Sequence, residues 1–260
     1  MLINPTINKL QQLRLHTMAK AFKEQMEQPL LTELSFEDRL GLLVDMEITA
    51  REDRQLQARL KRAKLKQSAS FEDIDYQTQR GLDKSVMATL STVQWVSSHH
   101  NILITGPCGT GKTFLACALA QKACLSGHSV SYCRTGRLLS ELQLGKGDGQ
   151  YSKRMKELSK TTVLILDDFG LSSLIDEQCR DLLEILDDRH GKCSTIVTSQ
   201  LPTKLWYETI ENGTLADAIL DRLIHNSYRL EIKGESMRKT RSKVGKEENS
   251  KQSKDAQKSA

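Results

Sequence analysis

The segment Gly106-Pro-Cys-Gly-Thr-Gly-Lys-Thr113 limits what this chain can become more than any other stretch of it. It follows a short apolar, β-branched run, Asn101-Ile-Leu-Ile-Thr105, and precedes Phe114 to Ser126, which is rich in Ala and Leu. The first flank reads as a buried strand and the second as a helix. Strand, glycine loop and helix, in that order, are the setting of a phosphate loop. Backbone N–H groups in such a loop curl around phosphate oxygens, and the N-terminus of the following helix favours negative charge. Glycines at 106, 109 and 111 permit backbone angles and a close approach that a Cβ would obstruct. The loop Gly106, Pro107, Cys108, Gly109, Thr110, Gly111, Lys112 and Thr113 is therefore the expected cradle of a nucleoside triphosphate. Lys112 would reach the β- and γ-phosphates, and the Thr113 hydroxyl would ligate Mg²⁺.

From residue 99 the pattern alternates between strands and helices. Further strands are expected at Ser129–Cys133, Val163–Asp168, Thr195–Gln200 and Tyr228–Ile232, and helices at Asp176–His190 and Thr214–Asn226. Between the second and third strands two short helices, Arg137–Leu144 and Ser152–Lys160, flank a glycine-rich break at Gly145–Gly149. Such alternation predicts an α/β fold, a parallel sheet covered by helices on both faces. The run Val163-Leu-Ile-Leu-Asp-Asp168 would deliver two carboxylates to the sheet edge beside the phosphate loop. Asp167 is the expected metal-orienting acid, acting with Thr113, and Asp168 is placed to polarise the attacking water. Thr198, Ser199 and Gln200 end the next strand, where a polar side chain fits between the carboxylates and the γ-phosphate. Arg222, in Leu220-Asp-Arg-Leu-Ile224, reads either as a surface ion pair with Asp221 or Asp217 or as an arginine finger acting on a neighbouring subunit.

Ahead of this body, residues 1–66 read as a small all-α domain. Leu10, Leu13, Met18, Phe22 and Met26 recur at near-helical spacing. After Pro29, Ser35 with Asp38 forms a capping signal for a helix carrying Phe36, Leu40, Leu43 and Ile48. Its later part is basic. Arg51, Arg54, Arg59, Lys61, Arg62 and Lys66 fall on one arc, opposite Leu56, Leu60 and Ala63, which fits either a solvated face or a phosphate-tracking face for DNA. Residues 67–98 form a linker and lead-in helix, Leu82–Ser97, with Trp95 as its packing anchor. Residues 99–240 form the nucleotide-binding domain, and 241–260 a disordered basic tail.

Bulk properties narrow the class. The net charge is +5, and residues 235–260 carry eight Lys/Arg against four Asp/Glu, so the folded body is nearly neutral and would bind nucleic acid only through local patches. No apolar run approaches a membrane span, and no secretion signal is evident. The six cysteines (108, 117, 124, 133, 179 and 193) form no C-x-x-C pair, which fits reduced thiols in the cytoplasm.

The combination of Leu-Ser-Phe-Glu-Asp-Arg-Leu40, Phe71-Glu-Asp-Ile-Asp-Tyr76, the phosphate loop, Leu166-Asp-Asp-Phe-Gly170, Thr198-Ser-Gln-Leu-Pro202 and Gly234-Glu-Ser-Met-Arg238 resembles the IstB family. These are ATP-binding helper proteins of bacterial insertion sequences, related to DnaC-type helicase loaders. The resemblance, over about residues 5–240, implies an AAA+ P-loop ATPase that binds ATP and Mg²⁺, self-assembles on duplex DNA and presents it to a partner transposase. It implies that Lys112 and Thr113 match the Walker A pair, Asp167 and Asp168 the Walker B pair, and Arg222 the arginine finger acting in trans. Gln200 falls where many AAA+ members carry the sensor-1 Asn. The paired helices between about 136 and 160 resemble an element that faces the central channel. With the basic arc, this makes Arg51, Arg54, Arg59, Arg62, Lys146, Lys153, Arg154 and Lys156 the DNA-contact candidates. Hydrolysis would be slow and DNA-stimulated. A helicase loader is the alternative, and a metabolic P-loop kinase is disfavoured because no small-substrate pocket is evident.

Overall fold

The computed structural model describes residues 5–27, 34–76, 81–234 and 236. The basic tail, Pro29 and most of the Gly234–Arg238 motif lie outside these. Packing divides the chain into two units, Met1–Arg59 and Leu60–Ala260.

The first unit is built from α1 (Pro5–Gln12), α2 (His16–Glu27) and the greater part of α3 (Phe36–Ala63). The continuous spacing from Leu10 to Met26 is interrupted between α1 and α2, where Arg14 adopts a left-handed φ of 59°. The cap expected at Ser35 is present: its hydroxyl accepts from the Asp38 N–H at 3.1 Å and donates to the Asp38 carboxylate at 2.8 Å. Of the four apolar residues read on α3, Leu43 is buried, whereas Phe36, Leu40 and Ile48 are exposed. Glu47 is the buried polar residue of this unit. Its carboxylate accepts from the Thr17 and Met18 N–H groups at 2.9 and 3.0 Å, closing the first turn of α2. Arg51 and Arg54 donate to its other oxygen at 3.0 and 3.1 Å.

In the second unit five strands form one parallel sheet: β1 (Asn101–Thr105), β2 (Val130–Arg134), β3 (Val163–Phe169), β4 (Ser194–Ser199) and β5 (Ser227–Glu231). Their order is β2-β3-β4-β1-β5, so β1 lies between β4 and β5 and the loop that leaves it emerges inside the sheet. Both faces must be covered, which explains why β1 and β4 are buried at every residue. One face carries Leu103, Leu164, Leu166 and Val197 into a cluster with Leu138, Leu142, Leu182, Trp206 and Ile219. These come from α7 (Thr135–Asp148), α9 (Asp176–Arg189), α10 (Gly213–Ile224) and the turns before α10. The alternate residues Ile102, Ile104, Ile165 and Ile196 serve the other face, where α6 (Lys112–Leu125) packs and α4 (Lys84–Ser91) packs on α6.

Two expectations about helices need correction. The lead-in helix is two pieces, α4 and α5 (Gln94–Ser97), because Val93 takes a left-handed φ of 61°; Trp95 is buried as expected. The glycine-rich break does not interrupt α7, which runs through Gly145 and Gly147 and ends at Gly149 with φ 75°. Gly145 is retained inside the helix by a close approach: a Cβ there would sit 3.2 Å from the backbone N of Tyr151, at the start of α8 (Tyr151–Lys160). Behind the sheet, the buried Arg189 donates to the carbonyls of Leu158, Thr161 and Ser194 and to Thr195 Oγ1, joining α8, α9 and β4; burial lowers its pKa to about 10.

The Met18 N–H leads the groups that hold Glu47 below its ordinary carboxyl pKa of 4.5. A group with a depressed folded pKa stabilises fully above its unfolded value and progressively less as pH falls through the folded one. Glu47→Ala is expected to cost about 1–2 kcal/mol in urea unfolding at neutral pH. The difference from the parent chain should shrink as pH drops below 4.5.

Candidate nucleotide site

The phosphate loop begins where β1 ends. Gly106 crosses so close to the chain leaving β5 that a Cβ would lie 2.1 Å from the Ile232 carbonyl oxygen, so no other residue fits. Gly111, with φ 94°, turns the chain into α6 with no side-chain cap, which leaves first-turn N–H groups directed at the loop's concavity. Lys112 is buried, and its ammonium donates to the Pro107 carbonyl at 2.8 Å, spanning the loop. Desolvation lowers its pKa, against the opposing fields of Cys108, Asp168 and Asp167. A cavity of about 450 Å³ opens here, lined by Lys112 and Thr113 together with Asp168, Arg134 and Gln200.

Asp167 and Asp168 reach the same site through an irregularity that the sequence does not announce. Consecutive strand residues normally point to opposite faces. Here the β3–β4 register shifts between Leu166 and Phe169, so that two aspartates oppose Thr198 alone. Asp168 takes a left-handed φ of 60° at this bulge. The Thr198 hydroxyl is the pin: it donates to Asp167 Oδ1 and accepts from the Asp168 N–H at 3.2 Å.

Asp167 is fully buried. Its Oδ1 also accepts from Thr113 Oγ1 at 3.0 Å, its Oδ2 accepts from the Tyr132 hydroxyl, and Lys66 Nζ lies 3.4 Å from Oδ2. Burial pushes its pKa up, but the hydrogen bonds from Thr198, Tyr132 and Thr113 and the charge of Lys66 outweigh it, and the carboxyl ends below its usual range. The Tyr132 phenol is pushed up in turn, by burial first and then by this carboxylate. Asp168 is more open and is held by Arg134 at 3.1 Å.

Of the expected site residues, the loop, Thr113, Asp167 and Asp168 are brought together, and Gln200 lines the same cavity. Thr198 makes the direct contacts among the three polar strand-end candidates. Arg222 does not join them. Asn101, the first residue of β1, donates to the Arg222 carbonyl at 2.9 Å, which places that part of α10 at the edge of the sheet opposite the loop. The Arg222 guanidinium pairs with Asp187 and lies 3.8 Å from Asp221. Several DNA-contact candidates are already engaged: Arg51 and Arg54 with Glu47, Lys146 with Glu177 and Asp181 at 2.9 and 2.8 Å, and Arg154 with Glu157 at 3.2 Å. Arg62, Lys153 and Lys156 are exposed and Arg59 half-buried. Lys66 leaves the expected arc altogether, because α3 ends at Ala63. Tyr132 and Arg134 carried no motif signal, and only the placement of β2's end beside β3's could have drawn attention to them; Lys66 was marked only as part of the basic arc.

The model of the IstB-like ATP binding protein family matches residues 8–245. The chain belongs to that family. A protein of Sinorhizobium fredii named as an insertion sequence ATP-binding protein is 48% identical over 239 residues, covering 92% of this chain and 98% of the relative. The corresponding protein of insertion sequence IS21 from Pseudomonas aeruginosa is 34% identical over 237 residues, covering 91% and 89%. Among solved structures, the DnaC helicase loader superposes with a TM-score of 0.51 at 21% identity, over 63% of this chain and 98% of that one, a likeness of fold alone. The fold is thus the AAA+ arrangement, a parallel sheet between helices.

Thr198→Val removes the hydroxyl that pins both aspartates while keeping the side chain's shape. Loss of one buried hydrogen-bonding partner is expected to cost about 1–3 kcal/mol in chemical denaturation. Nucleotide hydrolysis should fall with it, read by phosphate release.

Proposed function

We propose that this IstB-family chain is an ATP-dependent, DNA-binding helper of transposition. It binds ATP with Mg²⁺, assembles with copies of itself on duplex target DNA, and recruits or activates a partner transposase. Slow, DNA-stimulated hydrolysis regulates the assembly, and the setting is the cytoplasm. The names of its relatives, which place ATP-binding proteins in insertion sequences, support the transposition role. Among the described residues no helix is long and apolar enough to cross a membrane.

The observation that carries the reading is the pairing of Thr113 Oγ1 with Asp167 Oδ1 at 3.0 Å beside the loop, with Arg222 at the opposite sheet edge. A hydroxyl and a carboxylate are hard oxygen ligands suited to Mg²⁺. Among the described residues no cluster of three or more metal-binding side chains exists, which fits an ion held jointly by these two groups, nucleotide phosphates and water. In this reading Lys112 binds the phosphates, Asp168 polarises the attacking water, and Gln200 stands beside the γ-phosphate. Arg222 serves the site of a neighbouring copy, since its own site lies across the sheet. Arg62, Lys153 and Lys156, all exposed, are the leading DNA contacts, and the half-buried Arg59 is a further candidate. Arg51, Arg54, Lys146 and Arg154 follow, because reaching phosphate means leaving an acidic partner. Each phosphate neutralised steepens the salt dependence of binding.

Lys112→Ala is expected to abolish ATP binding and ATP-dependent assembly on duplex DNA in sedimentation and gel-shift measurements. Unchanged DNA-bound oligomers would rule the mechanism out. Arg222→Ala should bind nucleotide and fail to hydrolyse it, and mixing it with Lys112→Ala should restore part of the activity. Full activity of Arg222→Ala alone would return the residue to a surface ion pair.

A further inference from the structure

Lys66 lies just beyond the end of α3 and places its ammonium 3.4 Å from Asp167 Oδ2. It is the one ion pair that Asp167 makes among the described residues. The segment bearing it is seated. Ala63 is buried, Lys64 turns the chain with a left-handed φ of 49°, and the backbone of Gln67 and Lys66 lies beside the Cys117 thiol on α6. Lys66 therefore lines the nucleotide cavity from a segment outside the phosphate loop and the sheet edge.

We propose that Lys66 is a placeholder counter-ion for Asp167, pairing with the carboxylate while the metal is absent and leaving it when Mg²⁺ and nucleotide enter. The inference rests on the Mg²⁺ reading above. A fully buried carboxylate is costly without a cation nearby. A divalent ion arriving at Thr113 and Asp167 with the nucleotide supplies that charge and competes with the nearby ammonium groups for the one carboxylate. One of the cations must yield. Lys112 is not the one: it is buried in the loop and stays in the site as the ligand of the entering phosphates. The Lys66 side chain is 42% exposed and has a flexible stem, so it can return to water at little cost. Loading of the site is thereby reported to the backbone of residues 64–67, the first residues after α3.

The test measures affinity of the full chain for a fluorescent ADP analogue, in excess Mg²⁺ and in EDTA. Lys66→Met should tighten binding in Mg²⁺ by roughly two- to fivefold, the range an ion pair with one exposed partner commands, and leave binding in EDTA unchanged. Lys66→Arg, which keeps the charge, should retain the parent's Mg²⁺ dependence. In the unmodified chain, adding Mg²⁺ to the nucleotide complex should speed hydrogen exchange at residues 64–67, a readout that stands even if Lys66→Met fails to fold. An equal loss of affinity in Mg²⁺ and EDTA would make Lys66 a phosphate ligand and overturn the proposal. So would unchanged affinities in both, or exchange at 64–67 that ignores Mg²⁺. If the unmodified chain itself binds nucleotide without regard to Mg²⁺, the metal reading fails and the inference with it. A Mg²⁺-dependent parent with an unaltered Lys66→Met defeats the inference alone.

Discussion

A carboxylate buried in a protein interior has to be satisfied from every side, and the second unit is arranged around that requirement at Asp167. Its oxygens accept from Thr113 on α6, Tyr132 on β2 and Thr198 on β4, with Lys66 beside them. Its own carbonyl accepts from Thr135 at the start of α7, at 3.0 Å. One residue thus ties the helix after the phosphate loop to three adjacent parts of the sheet edge. Low dielectric makes each of these bonds stronger and makes leaving any of them unmade expensive.

The bulge at Asp167 and Asp168 is what permits this. In a regular strand one of the two carboxylates would face away from the nucleotide. Opposing both to Thr198 brings the pair to one edge at the cost of a left-handed backbone at Asp168, strain of the kind that collects at functional sites. The two acids then differ in environment. Asp167 is closed in by hydroxyls and held ionised, as suits a group that orients a metal. Asp168 is open to the cavity and, among the described residues, its carboxylate is tethered by Arg134 alone, which fits the proposed role of polarising a water.

Sheet order separates the parts of the proposed ATPase. With β1 in the interior, the phosphate loop, Asp167 and Asp168 emerge at one edge, while Asn101 binds the Arg222 carbonyl at the other. The proposed role of Arg222 therefore calls on a second copy to complete the site, and that proposal links nucleotide chemistry to assembly.

Much of this was legible in the residues themselves. The phosphate loop, the five strands and the acids at the end of β3 are local patterns, set by glycine's backbone freedom and by runs of apolar, β-branched residues, and they need no partner to be recognised. Less legible were helix interruptions such as Val93, and the persistence of α7 through Gly145, which depends on how closely α8 approaches. The partners of Asp167 and Asp168 were least legible. Tyr132, Arg134 and Lys66 stand 35, 34 and 101 residues from the carboxylates they touch, and nothing in their immediate neighbours points to those contacts. By itself, then, the sequence determined that an α/β domain with a phosphate-loop motif forms and where that loop lies. Only the tertiary structure decided which distant side chains satisfy Asp167, that a bulge turns both acids to one edge, and that Arg222 faces away. Those outcomes depend on strand order and on the need of a buried charge for partners, and neither is written in any single stretch of chain.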